Sequence, residues 1–325
     1  MLNTIIFLLL GLGLLMWGAE WLVKGASKLA RAIGISPLAI GLTIVAYGTS
    51  TPELIVNIKS ALAGQDDIAL GNIVGSNIFN VLFVLGVCGL ISPLKVQLKL
   101  IRLDVPLMIG ASFLLLFSCL DYRLSAVEGI IFIIGIVLYT WFCFSYSKKE
   151  DKFIKDEFDK EYGGDVKALR KSPALLKDVL LIGAGLVLLV IGAKWLINSS
   201  IEIARYFNIS ELVISLTIVA AGTSLPEVAT SIIATMKGER DIAIGNVVGS
   251  NIYNILAILG VTALIPKGGM AINPVSMALD IPFMVFVAVI CLPIFRSGAA
   301  ISRKEGFLLF SLYVGYTSYL IWSQH

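Results

Sequence analysis

Charged and titratable side chains are scarce in this 325-residue chain, and their scarcity excludes several kinds of chemistry. Only 14% of the residues are charged, and the single histidine, His325, is the last residue. The four cysteines lie in apolar segments without a CxxC pair, which predicts small buried hydrophobic side chains and not disulfides or metal ligands. The apolar segments contain no His, Cys or paired-Asp constellation suited to hydrolysis. We therefore expect neither an enzyme nor a resident cofactor.

Apolar residues dominate instead. They make up 58% of the chain, and the mean hydropathy of +0.92 lies far above that of a soluble domain. Ten segments are long and apolar enough to cross a hydrocarbon layer of about 30 Å as helices. They lie near 3–22, 38–62, 68–91, 105–120, 127–146, 178–197, 211–236, 242–265, 276–295 and 305–323. The sequence thus predicts an all-α, multi-pass membrane protein with ten transmembrane helices in a lipid bilayer.

The basic residues indicate the orientation, because Lys and Arg favour the cytoplasmic side of a membrane. Twenty of the 25 lie in alternate connections that face inside if the N-terminus is outside, and four lie in the other connections. Both termini are therefore expected outside. The net charge of +3 is a topology signal and not a nucleic-acid footprint, since the basic residues are spread over five connections without an aromatic platform.

One stretch of the sequence occurs twice, at an offset of 174 residues. Residues 43–80 and 217–254 agree at 22 of 38 positions without a gap, with polar residues in register as well as apolar ones. Each copy lies in a set of five predicted helices, an odd number, so the second must cross the membrane in the opposite direction. We expect two inverted five-helix repeats, 1–146 and 178–325, joined by a charged cytoplasmic linker, 147–177.

Each copy contains a helix-breaking motif in the middle of an apolar segment. The motif is GTSTPE at 48–53 and GTSLPE at 222–227. Because proline supplies no N–H and glycine loosens the same turn, both helices are predicted to break near the membrane midplane. An ordinary Ser-x-x-Glu capping box is the alternative interpretation. In hydrocarbon, irregular backbone is tolerated only where protein or water satisfies it, which favours a lined cavity.

Glu53 and Glu227 end these motifs. A carboxylate near the bilayer centre costs several kcal/mol unless it is paired, protonated or bound to a cation, and neither glutamate has a basic residue at a suitable spacing. The hydroxyl residues of the motifs share a helix face with the carboxylates; they are Thr49, Ser50, Thr223 and Ser224. Calcium takes about six to eight oxygen ligands, and two carboxylates would neutralise its charge. The motifs therefore predict a calcium site.

A second pair of motifs, GNIVGSNIFN at 71–80 and GNVVGSNIYN at 245–254, places polar residues on the following helices. Residues four apart form one row in each copy: Asn72, Ser76 and Asn80, and Asn246, Ser250 and Asn254. Such rows must face the interior, and Gly75 and Gly249 would allow close helix approach. Interhelical hydrogen bonding alone is the alternative, above all for Asn72, Asn77, Asn246 and Asn251. Four further acids near segment ends are expected at the membrane interface: Glu20, Asp104, Glu128 and Asp280.

Paired GTSxPE and GSNxxN motifs on inverted repeats resemble the calcium/cation antiporter superfamily, specifically its sodium/calcium exchanger branch of prokaryotic type. The resemblance covers nearly the whole chain, and the doubled motifs are highly specific. It implies a ten-helix antiporter of a prokaryotic cell (inner) membrane that exchanges Ca²⁺ for Na⁺ by alternating access. Alternatives on the same fold are a Ca²⁺/H⁺ antiporter, in which the two glutamates would titrate, or a K⁺-dependent one, and a cation channel is more remote.

The same resemblance implies the ligands of the transported ions. Shared ligands of Ca²⁺ and Na⁺ would be Glu53 and Glu227, and central amides would come from Asn80 and Asn254. Further oxygens would come from the side chains of Thr49, Ser50, Thr223, Ser224, Ser76 and Ser250 and from the backbone carbonyls of Ala46 and Ala220. Exchangers of this branch often carry Asp at the position of Asn254, so the site in this chain has two carboxylates and not three.

Overall fold

Helices make up nearly all of the computed structural model, which describes residues 2–162, 174–207 and 220–323. The helices are α1 (Leu2–Ile33), α2 (Pro37–Thr49), α3 (Thr51–Leu62), α4 (Asp66–Ile91), α5 (Leu100–Ser118), α6 (Ala126–Tyr162), α7 (Ala174–Tyr206), α8 (Ala220–Gly222), α9 (Leu225–Met236), α10 (Arg240–Ala263), α11 (Ser276–Arg296) and α12 (Arg303–Ser323). Four short strands lie between helices: β1 (Leu94–Lys95), β2 (Arg123–Leu124), β3 (Met270–Ala271) and β4 (Ala300–Ile301).

The helices have the length and composition of a membrane protein. Seven of the described helices are long and apolar enough to cross a membrane, and the bent pair α2 and α3 makes an eighth if it forms one span. α9 is apolar but only 12 residues long, and residues 208–219, which precede α8, lie outside the described ranges. The predicted segment 211–236 is therefore described only in part. The chain is a mostly helical, multi-pass membrane protein.

α1 and α7 are longer than the apolar segments predicted for them. They contain 32 and 33 residues, or about 48 Å at 1.5 Å per residue, against a hydrocarbon thickness of about 30 Å. α1 continues through Lys24, Lys28 and Arg31, which the sequence pattern assigned to a connection. α1 can extend beyond its apolar segment because its basic side chains reach the headgroup region while the backbone keeps its helical hydrogen bonds.

Glycine residues allow α1 and α7 to pack closely in antiparallel orientation. A Cβ atom on Gly18 would lie 2.8 Å from the carbonyl oxygen of Gly185, and one on Gly11 would lie 2.9 Å from that of Gly192. These are equivalent contacts, since Gly185 and Gly192 lie 174 residues after Gly11 and Gly18. Small residues at such contacts are typical of helix pairs in membranes.

α4 and α10 lie at the centre of the molecule. Their most apolar stretches are 78% and 89% buried, against 28% for α1, α6 and α7. Both change to wider π-helical turns at the last asparagine of the GSNxxN motif, over Asn80–Leu85 in α4 and Asn254–Leu259 in α10. Such π-helical turns are frequent at functional sites, because they redirect a side chain without ending the helix.

The structure tests the predictions made for the glycines of the GSNxxN motifs and for the cysteines. Gly249 does allow close approach, since a Cβ atom there would overlap the backbone of Leu42 in α2. The position equivalent to Leu42 for a contact with Gly75 is Leu216, which lies outside the described ranges. The cysteines are buried free thiols, as predicted; they are Cys88, Cys119, Cys143 and Cys291.

The connections between helices meet in two groups at opposite ends of α4. In the first group, β1 pairs antiparallel with β4, and the Gln97 side chain donates to Asp241 at 2.8 Å. In the second group, β2 pairs antiparallel with β3, and Asp66 accepts from the backbone N–H of Ala271 at 2.9 Å. The first group thus contains the connections after α4, α9 and α11, and the second those after α3, α5 and α10.

The charged stretch 147–177, predicted as a linker, is helical at both ends. α6 continues to Tyr162, and α7 begins at Ala174. Residues 163–173 between them lie outside the described ranges.

Candidate cation site

Both predicted helix breaks are present. α2 ends at Thr49 and α3 begins at Thr51, with a bend of 45° between them. Ser50 between the two has φ −81° and ψ 11°, and Ser224, between α8 and α9, has nearly the same angles, φ −86° and ψ 8°. Proline follows two residues after each serine and lies in the first turn of the next helix, where its missing N–H is tolerated.

The two breaks are joined by reciprocal hydrogen bonds between the copies of the repeat. The Ser50 hydroxyl donates to Glu227 Oε1 at 2.9 Å, and the Ser224 hydroxyl donates to Glu53 Oε1 at 3.0 Å. Neither serine side chain caps the helix that follows it. The capping-box interpretation of the motifs is therefore wrong, because each serine binds the carboxylate of the other copy.

The two carboxylates lie in the protein interior. Glu53 is 1% exposed and Glu227 is fully buried, and neither forms an ion pair with any residue that the structure describes. An isolated buried carboxylate loses its hydration, so its charge must be compensated by a proton or a cation. The geometry therefore brings two carboxylates and two serine hydroxyls together, and neither carboxylate has a basic partner among the described residues.

The polar rows of α4 and α10 surround these breaks. Thr223 donates to Asn72 Oδ1 at 3.2 Å, and Thr49 donates to Asn246 Oδ1 at 3.0 Å, which is the equivalent bond in the other copy. In addition, the hydroxyl oxygens of Ser224 and Ser76 lie within hydrogen-bond distance, 3.1 Å apart. These bonds join the oxygens of α4 and α10 to the two breaks that carry the carboxylates.

An asparagine network crosses between α4 and α10. Asn80 donates through Nδ2 to Asn251 Oδ1 at 3.1 Å, and Asn254 donates through Nδ2 to Asn77 Oδ1 at 2.9 Å. Asn77 and Asn251 each donate to the backbone carbonyl of the other, at 3.3 and 3.1 Å. Asn77 and Asn251 thus form the interhelical hydrogen bonds that were one interpretation of these residues. They also fix the amides of Asn80 and Asn254, whose NH₂ groups point towards them.

Four buried oxygens at this crossing accept no hydrogen bond from the part of the chain that the structure describes. They are Glu53 Oε2, Glu227 Oε2, Asn80 Oδ1 and Asn254 Oδ1. A buried acceptor without a donor costs about 1–3 kcal/mol, so four of them require another partner. Carboxylate and amide oxygens are the ligands that Ca²⁺ prefers, and the residues present therefore fit a hard cation.

The two backbone carbonyls in the predicted ligand set have different surroundings. Ala46 O accepts from the Ser50 N–H at 3.0 Å and from the Ser250 hydroxyl at 3.4 Å, and it lies 3.2 Å from the Thr49 hydroxyl oxygen, whose hydrogen is directed at Asn246. It lies at the break but already has donors. Ala220 begins α8, directly after the residues that lie outside the described ranges.

Two positioning residues were missed in the sequence. Asn57 is fully buried and accepts from Asn72 Nδ2 at 2.7 Å, while the fully buried Ser231 accepts from Asn246 Nδ2 at 3.0 Å. Asn57 and Ser231 are equivalent at the 174-residue offset. The sequence pattern that could have identified them is a polar residue four positions after each glutamate, on both apolar helices.

The four further acids predicted at the membrane interface have different surroundings, and their depth in a membrane stays a prediction. Asp104 is fully buried at the end of a π-helical turn and accepts from the Tyr139 hydroxyl of α6 at 3.4 Å. Glu20 is exposed and pairs with Lys237 at 2.6 Å. Glu128 caps α6 by accepting from the backbone N–H of Ser125 at 2.7 Å.

The chain is a multi-pass helical protein, and buried carboxylate and amide oxygens that lack hydrogen-bond donors among the described residues lie between its broken helices. These features define its class, which is that of the membrane transporters of cations. A model of the family described as sodium/calcium exchanger protein matches residues 3–145 and 177–322. The chain belongs to the sodium/calcium exchanger family.

Relatives and solved structures agree with this assignment. The putative antiporter CaxA of Alkalimonas amylolytica is 39% identical over 99% of this chain and 100% of its own length. The inner membrane protein YrbG of Escherichia coli is 36% identical over 99% and 98%, and the sodium/calcium exchanger MaX1 of Methanosarcina acetivorans is 32% identical over 96% of both chains. The solved structure of the sodium-calcium exchanger NCX_Mj superposes with a TM-score of 0.82, at 28% identity over 98% of each chain.

Proposed function

We propose that this protein is an antiporter that exchanges Ca²⁺ for Na⁺ by alternating access, with the ions bound where the two copies of the repeat meet. The observation that carries the proposal is the set of four buried oxygens without donors, on Glu53, Glu227, Asn80 and Asn254. A transported cation supplies the partner that these oxygens lack, and an exchanger must bind its cargo away from both aqueous phases.

The proposed Ca²⁺ ligands are the two carboxylates, with hydroxyls and amides completing the set. Glu53 and Glu227 together neutralise the charge of one Ca²⁺. Ser50 and Ser224 donate their hydrogens to these carboxylates, so the hydroxyl lone pairs are free to face a cation at the same time. Further proposed ligands are Thr49, Thr223, Ser76, Ser250, Asn80, Asn254 and the carbonyls of Ala46 and Ala220.

Na⁺ is the proposed coupling ion. The names of MaX1 and NCX_Mj state sodium and calcium. MaX1 aligns with 96% of this chain, and NCX_Mj shares its fold. Na⁺ and Ca²⁺ have similar radii and both take oxygen ligands, so they compete for the same carboxylates. With Asn254 in place of a third carboxylate, Na⁺ is proposed to bind at the flanking groups around Ser76 and Ser250.

The proposed architecture is two inverted five-helix repeats with ten spans and a cytoplasmic linker between them. Three observations support it. The equivalent helices α1 and α7 pack antiparallel through equivalent glycines, as inversion requires. The connections meet in two groups that correspond to alternate sides of a ten-span chain. The basic residues are concentrated on one of these sides, which supports the proposal that both termini face outside.

α1 and α7 are the proposed moving elements. They are largely exposed and pack mainly against each other, whereas α4 and α10 are held by the asparagine network. Sliding of the α1–α7 pair past the central helices would open the site to one side at a time. Exchange follows if the pair moves only when the carboxylates are compensated by ions.

The test is calcium uptake by purified protein in proteoliposomes under imposed gradients. We expect Ca²⁺ uptake driven by Na⁺ inside the vesicles, saturating with Ca²⁺, and no uptake without an opposing ion. Uptake driven by a proton gradient at constant Na⁺ would instead assign the protein as a Ca²⁺/H⁺ antiporter. Non-saturating flux without a counter-ion would contradict exchange altogether.

A further inference from the structure

α1 is joined to the connection that follows α9 by a row of polar contacts. The Lys237 ammonium donates to Glu20 Oε1 at 2.6 Å. Two turns further along α1, the Ser27 hydroxyl donates to Glu239 Oε1, also at 2.6 Å. Arg31 donates to the hydroxyl oxygen of Ser27 at 2.8 Å and lies 3.9 Å from the same carboxylate oxygen. The row therefore ties one of the proposed moving helices to the first group of connections.

The contacts of this row differ in their exposure to water. Ser27 is only 4% exposed, whereas the side chains of Glu20 and Lys237 are both exposed. An exposed ion pair contributes little because water and salt screen it. A hydrogen bond to a carboxylate contributes more where water competes less. We therefore expect the Ser27–Glu239 bond to be the stronger contact of the row.

The second copy of the repeat lacks the residues that would form an equivalent row between α7 and the connection after α3. Both carboxylates are replaced, one by a basic side chain and the other by an amide, and the buried hydroxyl is replaced by an apolar side chain. At the 174-residue offset the pairs are Glu20 and Lys194, Ser27 and Ile201, Lys237 and Ala63, and Glu239 and Gln65. The row is therefore not required by the fold that the two copies share.

The packing of the two moving helices is asymmetric in the same sense. α1 packs along α9, whereas the described residues of α7 make no comparable contact with α3. Ile55 on α3 is 45% exposed, while the equivalent residue on α9, Ala229, is partly buried. Alternating access between inverted repeats exchanges the roles of the two copies. In the other conformation α7 would cover α3 and α1 would withdraw from α9, which would break the row.

We propose that this row is a latch, which stabilises the conformation with α1 over α9 and so keeps the first group of connections, the proposed cytoplasmic side, closed. A contact that exists in only one of two conformations shifts their populations by its own free energy. Since the second copy has no such contacts, the opposite conformation gains nothing in return. The latch therefore makes the two orientations of the antiporter unequal. This inference rests on the proposed sliding of α1 and α7.

The test is the distance between spin labels on α1 and on a connection of the first group, measured by double electron–electron resonance. Lys28→Cys and Ser297→Cys place the two labels on exposed positions, and the native cysteines are buried. The full-length protein is measured in lipid nanodiscs with saturating Ca²⁺, which compensates the carboxylates and allows the pair of helices to move. We expect one main distance in this labelled parent, with a second distance as the minor population.

Latch variants should increase the second population relative to the first. We expect an increase of about threefold in Glu20→Gln, which removes an exposed ion pair, and of about tenfold in Ser27→Ala, which removes a hydrogen bond to a carboxylate. Glu239→Gln is the second variant if Ser27→Ala does not fold. Glu20→Lys should shift the ratio further than Glu20→Gln, because two ammonium groups would then face each other. Combining it with Lys237→Glu should restore the ratio to within twofold of the parent.

Two lysines provide matched controls. Lys24 lies one turn after Glu20 on α1 and forms no ion pair with a described residue, and Lys194 is the equivalent of Glu20 in the second copy. Lys24→Gln and Lys194→Gln should leave the ratio of the two populations within twofold of the parent.

An unchanged ratio in Glu20→Gln or in Ser27→Ala would overturn the proposal. So would an equal change in either lysine control, or a charge exchange that fails to restore the parent ratio. Calcium uptake by the parent tests the proposed exchange separately. If uptake is driven by Na⁺ while the distances ignore the latch variants, the latch is refuted and the exchange stands.

Discussion

Ser50 and Glu227 lie 177 positions apart in the chain, yet the Ser50 hydroxyl donates to Glu227 Oε1 at 2.9 Å. Ser224 and Glu53 repeat this bond in the other direction at 3.0 Å. Each break in a helix is therefore completed by the carboxylate of the opposite copy. A cation at this crossing would contact both copies at once, so its binding would affect the relative position of the two.

Replacing either glutamate by glutamine should abolish calcium transport. The change removes one of two charges that compensate Ca²⁺, while glutamine retains the size and the ability to accept the serine hydrogen bond. Calcium uptake by proteoliposomes containing Glu53→Gln or Glu227→Gln measures this. Glu128→Gln is the control, because glutamine also forms a capping box and transport should persist. Near-normal uptake by Glu53→Gln would contradict the assignment of the site.

Ser50→Ala should raise the half-saturating Ca²⁺ concentration about tenfold or more. It removes a hydrogen bond to a buried carboxylate, worth about 1.5–3 kcal/mol, together with a proposed ligand oxygen. Initial rates of uptake against Ca²⁺ concentration give the value. Thr51→Leu is the matched control, since the second copy carries Leu225 at this position and, among the described residues, the Thr51 hydroxyl bonds to Tyr47 O alone. If both variants shift the Ca²⁺ dependence equally, the serine has no special role.

Asn254→Asp should make sodium-driven calcium flux more sensitive to pH. The aspartate adds a third carboxyl group near Glu53 and Glu227 and loses the hydrogen bond that Asn254 donates to Asn77 at 2.9 Å. Three like charges in one buried site cannot all be ionised without cations, so protons should compete with them. Flux profiles of the parent and of Asn254→Asp should therefore differ. Superimposable profiles would show that Asn254 does not face the ions.

Gly18→Ala should destabilise the protein by about 1–3 kcal/mol through overpacking. The new Cβ atom would lie 2.8 Å from Gly185 O and from Leu189 N, so α1 and α7 would have to separate. Gly13→Ala on the same helix is the control, because a Cβ atom there meets nothing within 4 Å. Thermal unfolding in detergent should show a lower midpoint only for Gly18→Ala. Equal midpoints would mean that this contact does not hold the helix pair together.

The proposed orientation predicts which connections can be labelled from outside the cell. Gln65→Cys and Ser297→Cys both place a thiol on an exposed connection, but in the two different groups of connections. A membrane-impermeant thiol reagent should modify Gln65→Cys in intact cells and Ser297→Cys only after permeabilisation. The native cysteines are buried and should give little background. The reverse pattern would invert the proposed topology.

Much of the site could be predicted because polar residues in apolar segments are costly and therefore conspicuous. The proline in each GTSxPE motif predicted the breaks at Ser50 and Ser224, and these are present. The direction of the serine hydroxyls could not be predicted, since Ser-x-x-Glu within one helix is also the sequence of a capping box. The burial of Asp104 could not be predicted for a related reason, because linear distance from a segment end does not show which side chains pack against a residue.

The sequence by itself determined that the chain is a helical membrane protein with a doubled acidic motif, because hydropathy, proline and the 174-residue repeat are local or linear properties. Only the tertiary structure decided which oxygens meet. The bonds from Ser50 to Glu227, from Asn254 to Asn77 and from Thr49 to Asn246 each join residues more than 170 positions apart. Such contacts depend on how α3, α4, α9 and α10 cross, and this crossing is set by packing around glycine and by the satisfaction of buried polar groups, neither of which is encoded in a short segment.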